Sequence, residues 1–252
     1  MRTDGTGLWT KPALRDAIDR GELADWKATR YRAFHRTMTD GETPYPCYFA
    51  VEAEEEGRFR YTFPGPPDDT GARSRLAGAL EAYLADYESI DGPTSLVVLF
   101  EPPGEQSAGS YKRQFWDVLG ALQERNPEPW PETVPTDPGH PKWRYCFAGE
   151  PLFLVARAPF YEARRSRYTP HGLEITVQPA GVFEGLSGTS DEGQRARSAI
   201  HDRLREYDDL PRHPDSGDYA DPRRREWQQY MLPETNAESV VRCPLPERSR
   251  NR

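Results

Sequence analysis

Hydrophobic positions recur along the chain with two periods, and these divide it into elements. Thr10 to Ile18 reads as a first helix, with Thr10 as cap and Pro12 in the first turn. Ala24 to Met38 reads as a second, because Trp26, Tyr31, Phe34 and Met38 fall at roughly helical spacing. Tyr48 to Ala53 and Arg58 to Phe63 read as two strands joined by the charged, glycine-ended connector Glu54-Glu55-Glu56-Gly57, a hairpin. Pro64 to Asp69 is a loop. An amphipathic helix over Ala72 to Tyr87 follows, with Leu76, Leu80, Tyr83, Leu84 and Tyr87 on its apolar side.

The continuous run Thr94 to Phe100, TSLVVLF, predicts a central strand covered on both faces. Tyr111 to Glu124 predicts a helix presenting Phe115, Trp116, Leu119 and Leu122. Asn126 to Pro141 then holds six prolines in sixteen positions, which excludes both helix and central strand. We read it as a strap on one domain, anchored by Trp130 and Trp143, rather than a linker. Arg144 to Phe147 and Leu152 to Ala156 are strands around a Gly149-Glu150-Pro151 turn, and Leu173 to Val177 is the next strand. Glu192 to Tyr207 is a helix with Ala196, Ile200, Leu204 and Tyr207 on one side. Asp208 to Tyr219 is loop, and Pro222 opens a last helix to about Met231.

Adjacent strands with helices between them predict an α+β fold, a single domain with a largely antiparallel sheet flanked by helices. The expected divisions are 1–43, an N-terminal helical segment packed on the main domain; 44–232, the main domain; and 233–252, a polar tail with little to pack against. No glycine-rich phosphate loop follows a strand, so nucleotide binding has no support.

Composition narrows the class. Of 252 residues, 36% are hydrophobic, yet 12% are aromatic, enough to build a core from few large side chains. The formal net charge of −8 and the lack of a long basic block argue against a nucleic-acid partner. No apolar run is long enough for a membrane span. A soluble cytoplasmic protein is expected. Arginine greatly outnumbers lysine, which fits either a GC-rich genome or bidentate anion pairing. Three cysteines, Cys47, Cys146 and Cys243, form neither a disulfide framework nor a CxxC zinc pattern.

The candidate chemistry concentrates in His140 to Tyr168, HPKWRYCFAGEPLFLVARAPFYEARRSRY, with Cys47 far upstream in YPCYF. Taken alone, Cys47 reads as a small buried hydrophobe, or as a thiolate if a cation, helix N-terminus or metal lies beside it. His140 sits on the rigid Pro-rich segment, as a fixed ligand or base would, or as a surface loop residue. His35 reads as packed or half-exposed, and His171, His201 and His213 as solvent residues. Arg164, Arg165 and Arg167 read as a solvated basic turn or as forks for carboxylates. Glu101 and Glu150 each adjoin an apolar strand and precede a proline, where a buried carboxylate needs a cationic partner.

Several segments in order resemble the YqcI/YcgG family: Tyr45-Pro46-Cys47-Tyr48-Phe49, Thr94 to Val98, Pro129-Trp130-Pro131, His140-Pro141-Lys142-Trp143, Cys146 to Pro151, Arg164 to Arg167 and Gln178-Pro179. They cover about Pro44 to Leu232, and CFAGEPLFLV with RRSRY after it is the most specific. Some members of that family resemble heme-dependent N-hydroxylases that oxidise a guanidine nitrogen of arginine or an arginine-like compound. The resemblance implies heme b, with O₂ and an electron donor or a peroxide as co-substrate, and a small-molecule amino acid or guanidine substrate. It makes Cys47 the first choice of axial ligand, since a thiolate favours O–O cleavage, with His140 second and Cys146 third. The arginines would hold propionates or a substrate carboxylate, and Glu150 or Glu101 a guanidinium. Trp130, Trp143 and Phe147 would wall the site against water. The chain departs from the expected pattern at Ala180-Gly181, where a bulkier, more basic pair is expected in relatives, so its substrate can differ. Competing readings are a non-catalytic heme-binding or stress-related protein and a cofactor-free Cys/His enzyme. A homodimer is compatible with all three.

Overall fold

The computed structural model describes residues 6–183, 190–217 and 221–247. Six strands form one sheet in the order β1-β2-β3-β6-β5-β4. They are β1 (Leu8–Thr10), β2 (Arg60–Thr62), β3 (Leu96–Leu99), β4 (Tyr145–Phe147), β5 (Glu150–Arg157) and β6 (Glu174–Pro179). Only β2 and β3 run parallel; every other neighbouring pair is antiparallel, so the α+β reading holds. The helices are α1 (Lys11–Asp19), α2 (Asp25–Thr39), α3 (Tyr48–Glu55), α4 (Thr70–Leu84), α5 (Ala108–Glu124) and α6 (Asp191–Tyr207). Short polar side chains start several of them. Thr10, Asp69, Ser107 and Ser190 each accept an amide of the first turn, which satisfies a donor the helix itself cannot.

β3 is buried at every position, as its unbroken apolar run requires. Its residues alternate between two cores. Leu96 and Val98 face α4 and α5, with Leu80, Phe115, Leu119 and Trp143 among their company. Val97 and Leu99 face the other way, toward Phe34, Met38, Phe59 and Tyr61 under α1, α2 and α3. The sheet is thus a partition, and any site must belong to one side of it.

The Pro-rich segment is a strap on the first core. Trp130 and Trp143 are buried there with ring centroids 6.0 Å apart, and the Trp130 indole donates to the Val134 carbonyl at 3.1 Å. The β4–β5 turn falls at Ala148-Gly149, one residue earlier than the predicted Gly149-Glu150-Pro151, and Glu150 and Pro151 belong to β5. Ala148 and Gly149 have positive φ, 49° and 79°, as a twisted two-residue hairpin demands.

Three expectations are corrected. Tyr48 to Ala53 is helical, so no hairpin joins it to β2. Its aromatic and β-branched run Tyr48 to Val51 suits a strand, but turning the segment at helical pitch buries Ala53 and Glu54 together, and the carboxylate finds partners inside. The last predicted helix shrinks to a 3-10 turn, Glu226–Gln229. Trp227 and Tyr230 are drawn into the core there, with the Trp227 indole donating to the Pro138 carbonyl at 2.8 Å. The polar tail also finds something to pack with: Cys243 and Leu245 are buried in the first core, although residues 248–252 lie outside the described part. The same holds for residues 1–5 of the N-terminal segment and for Asp218 and Tyr219 of the predicted loop.

Candidate functional site

Cys47 follows Pro46 in an extended conformation, with φ −80° and ψ 95°, and is the N-cap residue of α3. The opposite end of α3 is clamped. The Glu54 carboxylate, fully buried, meets His35 Nδ1 of α2 at 2.6 Å and accepts the Tyr61 hydroxyl of β2. Lys11 of α1 donates to the Glu54 carbonyl at 2.6 Å, where the helix dipole favours a cation. Three elements therefore fix a short helix that presents a thiol at its N-terminus.

That thiol borders a cavity of about 350 Å³ on the second-core side of the sheet. Phe153, Val155 and Arg157 of β5 and Thr176 and Gln178 of β6 form its floor. Phe34 and Met38 of α2, Phe49 and Ala50 of α3, and Phe59 make the apolar wall. Above them lies α6, which turns Ala196, Arg197, Ile200, His201 and Leu204 to the cavity at three- and four-residue steps. Its C-terminal end is pinned: Asp208 accepts the Ser166 amide at 2.6 Å, and Tyr207 meets Tyr45 edge-on at 5.8 Å.

Cations dominate the polar lining. Arg157, Arg167, Arg197 and Arg212 border the cavity, and among its described lining residues there is no Asp or Glu. Arg157 is paired with Glu174 at 2.7 Å and donates to the Tyr168 carbonyl at 2.7 Å. Burial alone would lower its pKa, but Glu174 outweighs that and holds the guanidinium above its ordinary value. Arg157 Nε has no hydrogen-bond partner among the described residues. Arg167 is held by carbonyls, those of Tyr230 at 3.1 Å and Gln229 at 3.0 Å, and burial lowers its pKa. Burial pushes the Cys47 thiol up, while the amides of Ala50 and Phe49 and the Arg203 guanidinium pull the other way.

Of the residues singled out in the sequence, the structure brings Cys47 and Arg167 to one cavity. The others lie apart from its lining. His140 is exposed, and its Nδ1 accepts the Lys142 amide at 3.1 Å, closing a turn in the strap. Cys146 is buried in the first core, which raises its thiol pKa. Trp143 and Phe147 are fully packed in that same core. Glu150 stands at the β4–β5 turn near Tyr87, and Glu101 follows β3, its amide bonded to the Gly65 carbonyl at 3.0 Å. Arg164 braces the tail through the Pro233 carbonyl at 3.0 Å and Asn236 Oδ1 at 2.7 Å. Arg165 is exposed over the Tyr207 ring at 5.2 Å.

Arg157 and the α6 residues were missed. Arg157 ends an apolar strand run, where a lone arginine in a buried strand signals an internal partner. His201 shares a helix face with Arg197 at i+4, a spacing legible in the sequence once α6 is known to cover a cavity. His213 is likewise no solvent residue: it is 1% exposed, with Nε2 2.9 Å from the Glu238 carbonyl. Among the described residues no group of three or more His, Cys, Asp or Glu could hold a metal ion, and no helix is long and apolar enough to cross a membrane.

The YqcI/YcgG family profile matches residues 34–246. YcgG of Bacillus subtilis (strain 168) is 35% identical over 95% of this chain and 94% of its own length. YqcI of the same organism is 31% identical over 95% and 94%. A protein of Streptomyces lavendulae named "Putative N(omega)-hydroxy-L-arginine synthase DcsA" is 29% identical over 89% of this chain and 85% of its own. No solved structure matches the chain. The chain belongs to the YqcI/YcgG family.

Proposed function

We propose that this member of the YqcI/YcgG family is a heme b-dependent oxygenase that hydroxylates a guanidine or amine nitrogen of arginine or an arginine-like molecule. The observation that carries the reading is the position of Cys47, a thiol at a helix N-terminus on the wall of an apolar cavity. The name of the Streptomyces relative supports arginine N-hydroxylation at the family level.

The residues suit the group. A porphyrin supplies four ligands itself, so one axial side chain is enough, and Cys47 is the described cysteine that borders this cavity. Phe34, Phe49, Phe59 and Phe153 offer flat apolar surface to a macrocycle. The cavity's cations match the charge of two propionates. Bound there, heme would supply oxygen activation at its iron, for which a thiolate donor favours O–O cleavage.

The chain's own residues would do the rest. Cys47 is set at the N-terminus of α3, a helix whose far end is fixed by the clamp on Glu54. The aromatic wall and α6 limit water around the reacting nitrogen. With O₂ as oxidant, one oxygen atom enters the N–H bond and the other leaves as water, using two electrons and two protons from an external donor. With hydrogen peroxide, the same insertion needs no further reductant. Glu150 and Glu101 stand outside the lining, so a substrate guanidinium would rest on Gln178, Thr176 and backbone carbonyls instead.

The test is reconstitution with hemin, followed by spectra of the oxidised protein and of the reduced protein under CO, then turnover with L-arginine. A stoichiometric Soret band, a strongly red-shifted CO band abolished in Cys47→Ala and retained in His140→Ala, and formation of a hydroxyguanidine are expected. A protein that takes up no hemin overturns the reading. One that binds it but oxidises no guanidine or amine leaves only a heme-binding role.

A further inference from the structure

The cavity floor is built of cross-strand rows. Phe153 of β5 stands opposite Gln178 of β6, and Val155 opposite Thr176, which has Val97 of β3 on its other side. Residues two apart on a strand share a face, so Thr176 and Gln178 both border the cavity from an otherwise apolar surface. Beyond them on that face Glu174 is closed on Arg157.

A second, smaller space adjoins the cavity. It measures about 10 Å³ and shares Phe49, Ala50, Phe59 and Gln178 with it. Ser95, one residue ahead of β3 and 1% exposed, lines this space together with Gln178. Such a space takes one water-sized group, and an NH2 is of that size. The hydroxyl of the adjacent Thr94 donates to the Arg58 carbonyl at 2.7 Å and so belongs to the fold. The side chains of Ser95, Thr176 and Gln178, by contrast, have no hydrogen-bond partner among the described residues. Polar groups between apolar walls cost free energy until a partner reaches them, and each of these three offers an acceptor oxygen.

We infer that Ser95, Thr176 and Gln178 form a subsite for a terminal, planar NH2-bearing group of the guanidine, urea or carboxamide class, with the NH2 directed into the small space between Ser95 and Gln178. The inference rests on the reading that the Cys47 cavity binds the substrate, and it names what positions the substrate's nitrogen end. The two N–H bonds of one nitrogen match the Ser95 hydroxyl and the Gln178 side-chain carbonyl, and a neighbouring N–H matches the Thr176 hydroxyl. An ester of the same shape leaves these acceptors unpaired, which costs more than the loss of a contact in an apolar pocket. All three side chains are neutral, so the subsite reads hydrogen-bond geometry and not charge.

Three ligands of one shape test it: phenethylguanidine, phenethylurea and phenethyl acetate. The first two carry the planar NH2 end, charged and neutral, and the ester lacks it. Each is titrated by calorimetry into the full chain and into Ser95→Ala, Thr176→Val and Gln178→Met, with folding checked by circular dichroism. Ser95→Ala and Thr176→Val add no bulk, so they decide the matter if Gln178→Met does not fold. In the wild type an NH2 ligand should bind about tenfold or more tighter than the ester, and each substitution should remove about tenfold while leaving the ester unchanged. A loss shared by guanidine and urea assigns the subsite to the NH2 group whatever its charge; a loss confined to one of them assigns it to the cationic or to the neutral form. The subsite is overturned by a wild type that binds none of the three or shows no preference over the ester, by variants that keep the preference, and by an equal loss for ester and NH2 ligands. Hemin uptake is measured separately. If hemin is not taken up while the preference holds, the oxygenase reading falls and the subsite stands; if hemin binds and a guanidine is oxidised with unchanged KM in all three variants, the subsite falls and the oxygenase reading stands.

Discussion

Arg157 and Glu174 stand directly opposite each other on β5 and β6, and their side chains meet at 2.7 Å beneath the cavity. Their side chains are 2% and 1% exposed, so each charge depends on the other. Glu174→Gln strands a buried guanidinium and should cost about 3–5 kcal/mol, read by urea unfolding. Replacing both, Arg157→Met with Glu174→Leu, should recover most of that loss. A double variant no more stable than Glu174→Gln would show that the pair's packing, not its charge balance, matters.

Cys47 should react slowly with iodoacetamide in the cofactor-free protein, because burial raises its pKa. The pH midpoint of alkylation should lie above that of a free cysteine. Arg203 stabilises the thiolate, so Arg203→Gln should move the midpoint further up. A midpoint that falls in the variant contradicts this account.

Glu226 offers a pH test remote from the cavity. Desolvation pushes its carboxyl up to about 7, against the pull of Arg144 at 3.2 Å. A raised pKa means the folded protein binds the proton more tightly than the unfolded chain. That contribution is fully present below the unfolded value near 4.5 and is lost as pH rises through about 7. Glu226→Gln should therefore be more stable than wild type at pH 8, by on the order of 3 kcal/mol, with the advantage shrinking as pH falls through about 7 and gone below the unfolded value near 4.5. Unfolding curves at the two pH values decide it; an equal difference at both would sink the assignment.

Ala148 occupies the left-handed region at φ 49°, where a Cβ is disfavoured. Ala148→Asn or Ala148→Gly suits a two-residue turn ending in Gly149 and should add about 0.5–1 kcal/mol. Thermal unfolding measures it, and a lower Tm for both variants would indicate that the hairpin is not strained.

Leu245 lies in a stretch whose polarity suggested no packing, yet it is 6% exposed in the first core. Leu245→Ala should cost about 2–3 kcal/mol. A loss below 0.5 kcal/mol would mean that the tail contributes little to the fold.

These residues show what the sequence made legible. β3 and β5 could be read because burial on both faces, or on one, writes itself as an apolar run or alternation. α3 could not, because YFAVEAEE satisfies a strand pattern as well as a helix, and only the partners of Glu54 decide between them. Glu54 itself was hidden in an acidic run that looks like solvent-facing connector. Cys47 was legible as a candidate through its resemblance to a family, and its helix N-terminal position was not. The arginines were visible in RRSR, but the structure sends Arg164 to the tail, Arg165 to an aromatic ring and Arg167 to the cavity. Such divergence over four positions depends on a 3-10 turn that periodicity cannot reveal.

The chain's preference for arginine over lysine acquires a geometric meaning at Arg30, Arg164 and Arg167. Each spreads its fork across main-chain carbonyls or a side-chain oxygen far away in sequence: residues 169–173, 233–236 and 229–230. They act as non-covalent staples, tying α2, the turn after β5 and the C-terminal stretch of the chain into one body. A lysine has one nitrogen where a guanidinium has three, so it can hold one end of a staple but not both. At these positions codon drift toward lysine would loosen the architecture while leaving the net charge untouched.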